Sequence, residues 1–442
     1  MSDESLESGW SFDTLQVHAG AFPDPATRAR AVPIFATTSY VYESVDTAAA
    51  SFLLEDLTVN SYSRTGNPTT AAAERRIAAL EGGVGAVAVA SGQAATTLAL
   101  LNIVRAGDHV VLSGQVYGGT TSLVTQRFPE LGIEHTIVTD IDDPEAWRAA
   151  IRPNTRAFFA ESIANPLARV LDIETVARVA HDDAGVPLII DNTLATPYLL
   201  RPIDFGADIV VHSTTKFLTG HGTVLGGVVV DSGAFDFGAE PAKWPGLHSV
   251  DPGHGEIGYW ERFHGQGLGY LLRLRSLLLR DYGPTLSAFN SFLLIQGIET
   301  LSLRLRQHVA NTERIVRYLE SHPQVELVNH PLAAGHPSAE LAAKYLPKGA
   351  GSVFSFNLVG GLEAGKAFIG GVKLFSHLAN IGDVRSLVIH PASTTNSSQT
   401  PEQRAATGIG EGLIRLSVGI EDADDLIADL ERGFAAARAV RP

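Results

Sequence analysis

The stretch Asp208-Ile-Val-Val-His-Ser-Thr-Thr-Lys216 decides the fold. A run of β-branched residues carries a strand to its end; three hydroxyls follow, and then a lysine. Upstream, Pro187-Leu-Ile-Ile-Asp191 is a second short apolar run, and it ends on a carboxylate. Neither run alternates cleanly, as expected for strands covered on both faces. Similar runs lie at Ala86–Ala90, His109–Leu112, Glu134–Val138, Ala157–Ala160 and Gly226–Val230. Helical patterns at Ala71–Leu80, Ala94–Val104 and Thr120–Leu131 separate the earlier ones. Strands interleaved with helices predict an α/β fold with a mostly parallel central sheet.

Ligands of such sheets gather beyond the carboxyl ends of the strands. Ser91, Asp191 and Lys216 each follow a predicted strand. A lysine placed there among hydroxyls reads as the Schiff-base lysine of a pyridoxal phosphate (PLP) enzyme. The alternative, a solvated surface lysine, fits poorly with the apolar Phe217-Leu218 that follows. Asp191 then reads as the acid that keeps the pyridine nitrogen protonated, or alternatively as a cap of the next turn. Ser91-Gly92-Gln93 opens a helix, where backbone N–H groups and a serine make an anion site; a plain helix cap has the same pattern. Ser213 and Thr215 could add hydroxyls to the same phosphate. Tyr62 and Arg64 sit in the turn-prone segment 60–69. A guanidinium grips phosphate at two points, and an exposed loop arginine is the bland alternative. Arg415 lies inside the apolar run Leu413–Gly419 and needs a partner if buried, either an amino-acid carboxylate or a structural salt bridge.

Composition sets outer bounds. The chain has 442 residues, enough for two or three domains, with 45% hydrophobic and 18% charged residues. A net charge of −15 argues against non-specific binding to nucleic acid or an anionic membrane. With no cysteine there is no disulfide, thiolate metal site or cysteine nucleophile. The acidic first residues are unlike a signal or transit peptide, so a cytoplasmic protein is expected. The uncharged segment 82–104 could pass for a membrane span, but Ser91-Gly92-Gln93 at its centre reads as a turn between strand and helix. His248, His254 and His264 lack the spacing of a compact metal motif, and no metal is expected. Gly360–Lys366 nearly fits a nucleotide-binding loop, but Ala367 stands where the magnesium-binding hydroxyl belongs. Residues 1–66 read as an N-terminal arm contacting a neighbouring subunit, 67–285 as the cofactor-binding domain, and 286–442 as a smaller C-terminal α/β domain. In the last part, helices are expected over Ala288–Leu319, Leu362–Gly370 and Asp422–Ala437, and strands over Ser352–Leu358 and Leu413–Gly419.

Taken together, Tyr62-Ser-Arg-Thr-Gly-Asn-Pro-Thr69, Ser91-Gly-Gln-Ala-Ala95, Asp191-Asn-Thr193, Ser213-Thr-Thr-Lys216 and Arg415-Leu-Ser-Val-Gly-Ile-Glu421 resemble the Cys/Met-metabolism family of PLP enzymes. The resemblance runs from about Phe12 to Ala437. It implies the fold type I, aspartate-aminotransferase-like architecture and a homotetramer of catalytic dimers. It also implies that Lys216 holds the cofactor and Asp191 its ring nitrogen. Gly92, Gln93, Ser213 and Thr215 would bind the phosphate, and Tyr62 and Arg64 would reach the phosphate of the neighbouring subunit. Tyr117 would stack on the pyridine ring and assist proton transfer. Asn165, Ser386 and Arg415 would orient the substrate carboxylate and the cofactor. Thr219-Gly-His-Gly-Thr223, the insert 232–270 and Gln296 are most similar to the family's O-acetylhomoserine sulfhydrylase branch. Gly119 stands where methionine γ-lyases usually carry cysteine. The implied reaction is γ-replacement of acetate by sulfide to give homocysteine, with cystathionine γ-synthase or O-succinylhomoserine sulfhydrylase as the alternative. One departure is Asn396, where relatives commonly have histidine.

Overall fold

The structure, a computed structural model, describes residues 9–440. Seven strands form the central sheet: β1 (Gly85–Val89), β2 (His109–Ser113), β3 (Glu134–Val138), β4 (Thr155–Glu161), β5 (Leu188–Asp191), β6 (Ile209–His212) and β7 (Gly227–Asp231). Their spatial order is β1-β7-β6-β5-β4-β2-β3. β7 is antiparallel to both neighbours, and the other pairings are parallel. Every residue of β2 and β6 is buried, which explains why those runs carry no polar alternation.

Helix α1 (Pro68–Glu81) starts where Asn67 accepts the Thr69 N–H, has proline at its first position, and stops at left-handed Gly82. Helix α2 (Gly92–Leu101) is capped by Ser91, whose Oγ accepts the Ala94 N–H at 3.1 Å. The uncharged segment 82–104 is thus a strand, a turn and a helix, and among the described residues no helix is long and apolar enough to cross a membrane. The helix expected over Thr120–Leu131 is broken: Gly118–Ser122 is followed by a wider turn over Leu123–Arg127 and a tight one over Pro129–Leu131.

The helix expected over Ala288–Leu319 is two helices, α3 (Ala288–Glu299) and α4 (Leu301–Glu320), separated at Thr300. Buried Arg304 spans the break. Its guanidinium takes the Gly297 carbonyl at 2.7 Å and the Phe217 carbonyl at 2.8 Å. The Gly297 oxygen takes this cation where the ladder of α3 ends, and it also accepts the Thr300 N–H at 3.4 Å. Arg304 thereby fastens α3 to the segment that follows Lys216.

A second sheet has the order β10-β11-β12-β9-β8, from β8 (Val325–Asn329), β9 (Val353–Leu358), β10 (Ser376–His377), β11 (Leu387–Ile389) and β12 (Leu413–Ser417). Sequence periodicity pointed to β9 and β12; the other three are short or partly exposed and lack a pattern of their own. Helices α5 (Gly361–Gly371) and α6 (Ala423–Ala439) cover this sheet, with Phe356, Phe368 and Phe434 packed edge to face or tilted between them. Helix α4 joins two cores, burying Leu305 and Val309 against the first and Ile315, Val316 and Leu319 in the second. The N-terminal segment divides in two. Residues 12–20 are fastened to the same chain, where Arg76 binds the Val17 and Ala19 carbonyls and Gln16 binds Ser302. Beyond them, Val41, Val45 and Phe52 stand exposed.

Candidate active site

β5 and β6 end side by side, with Asp191 the register partner of Val211. The Asp191 carboxylate accepts the N–H and the hydroxyl of Thr193 at 2.9 and 2.5 Å, so it is held from its own turn. The Thr193 hydroxyl in turn accepts the Ser213 N–H at 2.8 Å, which ties the acid's turn to the lysine's. Burial raises the Asp191 pKa, while the Thr193 bonds and nearby His212 oppose the rise.

Lys216 Nζ donates to Asn380 Oδ1. Burial, and then the positive charge of Arg415, lower its pKa. The Arg415 side chain reaches the same place from β12, donating to the Asn380 carbonyl at 3.1 Å and to Asn165 Oδ1 at 3.5 Å. Burial brings its pKa down to about 10. Its guanidinium has no carboxylate partner among the described residues; the acceptors it has are the Asn380 carbonyl and Asn165 Oδ1. Lys216, Arg415, Asn165 and Asn380 thus form one connected group.

The helix start at Ser91 meets the lysine's turn closely. A Cβ on Gly92 would lie 2.6 Å from Ser213 Cβ, and one on Gly227 would lie 2.1 Å from the Ser91 carbonyl oxygen. Only glycine allows these backbones to approach so closely, and the result is a narrow cradle of N–H and hydroxyl groups. Thr215 Oγ1 sits beside it, accepting the Gly226 N–H at 3.1 Å. The exposed Gln93 donates to the Gly119 carbonyl at 3.1 Å. Tyr117 stands exposed at the start of that turn, its N–H donated to Glu161 Oε1 at 2.5 Å.

Two expected groups lie apart. Tyr62 and Arg64 contact each other, and Arg64 donates to the Arg280 carbonyl. Both line an open cleft of about 1310 Å³ and are bonded to none of Lys216, Asp191 or Gly92. Ser386 is fully committed elsewhere: its hydroxyl donates to Glu421 Oε2 at 2.9 Å and accepts the Gly419 N–H at 2.8 Å. The side chain at Lys216 is that of Asn380, which sequence reading passed over. Asn380 lies in a loop of no period, and only the turn-forming Gly382-Asp383 nearby hinted at a built segment. Glu161 was also passed over; it directly follows the run Ala157–Ala160, at the end of β4, and Thr193, although quoted in Asp191-Asn-Thr193, was given no role.

The remaining motifs are accounted for locally. Lys366 pairs with Glu363 on the surface of α5. His248 bonds Glu261, His254 bonds Asp251, and His264 bonds the Trp260 carbonyl. Among the described residues no three His, Asp or Glu side chains form a group that could hold a metal ion.

Residues 13–435 match the profile of the family described as Cys/Met metabolism PLP-dependent enzyme. The chain is 48% identical to the O-acetyl-L-homoserine sulfhydrylase of Corynebacterium glutamicum, over 98% of this chain and 99% of that protein. It is 46% identical to the enzyme of the same name from Leptospira meyeri, over 98% of each. A crystal structure from Campylobacter jejuni, described as an O-acetylhomoserine (thiol)-lyase with N'-pyridoxyl-lysine-5'-monophosphate, superposes with a TM-score of 0.91 at 36% identity, covering 96% of this chain and 100% of that one. A match across nearly the whole chain, with identity of this order, leaves one conclusion: the protein belongs to the Cys/Met metabolism PLP-dependent enzymes.

Proposed function

We propose that this enzyme replaces the acetate of O-acetyl-L-homoserine with sulfide, giving L-homocysteine. The observation that carries the reading is the connected group Lys216–Asn380–Arg415–Asn165 beside Asp191. It sets a proton-accepting amine next to an unpaired cation suited to an amino-acid carboxylate.

The donor set fits PLP. The cradle of Ser91, Gly92, Ser213 and Thr215 suits a phosphate, and a Cβ at Gly92 or Gly227 would fill it. Asp191, held by Thr193, suits a protonated ring nitrogen, and Lys216 suits the cofactor's aldehyde. When bound, PLP supplies the electron sink for charge left at the substrate's α- and β-carbons.

The chain's own residues supply the rest. Arg415 and Asn165 bind the carboxylate and so fix which bonds face Lys216. The lowered pKa of Lys216 keeps more of its amine free to take the α-proton; once it has passed that proton on, the same amine can take the β-proton. One base near both carbons serves successive steps without a second ionisable group. Acetate leaves the γ-carbon, sulfide takes its place, and Lys216 returns the protons. Tyr117 covers the ring. Gly119 gives it room, because a Cβ there would lie 2.3 Å from the Tyr117 ring.

Tyr62 and Arg64, which are bonded to none of Lys216, Asp191 or Gly92, would serve the phosphate of a second copy, in a homotetramer built from catalytic dimers.

The deciding assay offers acetyl and succinyl esters of homoserine, each with sulfide and with cysteine. Acetyl ester with sulfide should react fastest. Preference for the succinyl ester, or for cysteine as acceptor, would move the enzyme to another branch of the family. A succinyl ester carries a further carboxylate that would need its own cation.

A further inference from the structure

Glu161 is the last residue of β4, and Asp191 is the last residue of β5. They are direct register partners in a parallel pair, so both side chains leave the same face of the sheet. Glu161 is only 6% exposed. Neither acid has a cationic side chain bonded to it among the described residues. The charged or titratable groups that act on the pair are few. Asp191 itself faces Glu161, while His212, one residue past Asp191's register partner Val211 on β6, leaves the other face and is bonded to Glu81 at 2.6 Å. On the other flank of β4, the strand β2 ends in the neutral Ser113. Two adjacent carboxylates with one prospective counter-charge, the pyridinium of bound PLP, cannot both ionise cheaply. Burial, and then the neighbouring Asp191 charge, raise the Glu161 pKa well above the usual carboxylate range.

Glu161 also has a mechanical contact. Its Oε1 accepts the Tyr117 N–H at 2.5 Å, across 44 positions of sequence. The Tyr117 ring is 58% exposed, so backbone contacts are what aim it. One is this bond; another is the Thr120 N–H donated to the Tyr117 carbonyl at 2.9 Å.

We propose that Glu161 is a positioning residue, carried as the neutral acid, that fixes Tyr117 through its backbone beside Asp191. The proposal rests on the PLP reading of the site. It assigns the carboxyl group two tasks: accepting the Tyr117 amide and adding no negative charge next to Asp191.

Glu161→Gln keeps a neutral acceptor, and Glu161→Ala removes it. The readouts are the equilibrium affinity for PLP and the visible circular dichroism of the bound cofactor. Glu161→Gln should stay within about twofold of the parent in affinity and keep the dichroism. Glu161→Ala should bind PLP about tenfold more weakly and lose dichroic intensity, because the Tyr117 N–H is left without its partner. Infrared difference spectra of the protein without PLP, parent minus Glu161→Gln, should show a protonated carboxyl band at neutral pH. A Gln variant as damaged as the Ala variant, an unchanged Ala variant, or the absence of that band would overturn the proposal. If the Ala variant does not fold, the Gln variant and the infrared band still decide. A parent protein that takes up no PLP would instead refute the underlying assignment of the site.

Discussion

Lys216 was legible in the sequence because its surroundings are regular: a buried strand, hydroxyls, then a cation. Asn380 was not, because nothing local marks a loop residue whose importance comes from a contact 164 positions away. The two make a pair of predictions. Lys216→Ala should abolish turnover and the cofactor's visible band; an active, yellow variant would refute the assignment. Asn380→Ala removes the acceptor from the lysine but leaves the backbone carbonyl that Arg415 uses. Its effect should therefore fall on kcat, by about tenfold, with KM little changed. Steady-state kinetics with saturating PLP separates the two parameters, and a loss confined to KM would place Asn380 with the substrate instead. Ser386, which the resemblance gave a share in orienting the substrate carboxylate and cofactor, has its hydroxyl bonded within the chain to Glu421 and Gly419.

At the scale of elements, the central strands could be read because burial on both faces leaves uninterrupted Val, Ile and Leu. The break at Thr300 could not, because no glycine or proline stands at position 300, and what meets there is Arg304, bonded both to Gly297 and, 87 positions away, to Phe217. The contact of α2 with the lysine's turn yields a test. Gly92→Ala would put a methyl 2.8 Å from Ser213 Cα, and a backbone atom cannot swing aside. Overpacking of this kind costs about 1–3 kcal/mol. PLP affinity should fall by about tenfold or more, as measured by titration of the visible band. The reversed direction of β7 has another consequence. It puts Gly227 at the site and carries Asp231 to the opposite end of the sheet, near Asp208. Burial pushes the Asp231 pKa up to about 7. The folded protein therefore holds this proton to about pH 7, whereas an unfolded chain releases it near pH 4. Stability from this group is highest below about pH 4 and declines as pH rises to about 7. Asp231→Asn removes the titration and keeps an oxygen for the Gly233 N–H. It should unfold later than the parent at pH 8, by up to about 4 kcal/mol, with the gap closing toward pH 4. Denaturant titrations at the two pH values measure it, and a gap independent of pH would count against the assignment.

For the whole molecule, the division into a large, mostly parallel sheet and a smaller second sheet followed from the alternation of runs. A single chain leaves Val41 at 99% and Val45 at 85% exposed, with Phe52 and Phe289 also open to solvent. Val41, Val45 and Phe52 lie on one segment, and exposed apolar surface of this kind suits a contact with another chain. The same segment leads into Tyr62 and Arg64, which hold no contact with the chain's own lysine turn. If a second copy supplies them, each site draws residues from two chains, and damage in one chain can be offset by the other. Arg64→Ala and Lys216→Ala should each be nearly inactive as pure preparations. Dissociated, mixed and reassembled, they should regain activity that neither has alone. In a mixed dimer one site then combines an intact Lys216 with an intact Arg64, while the other carries both lesions. Recovery should follow the fraction of mixed dimers as the mixing ratio is varied, peaking at equal amounts. Absence of recovery in a mixture shown by mass spectrometry to contain hetero-oligomers would mean that Arg64 serves the chain it belongs to.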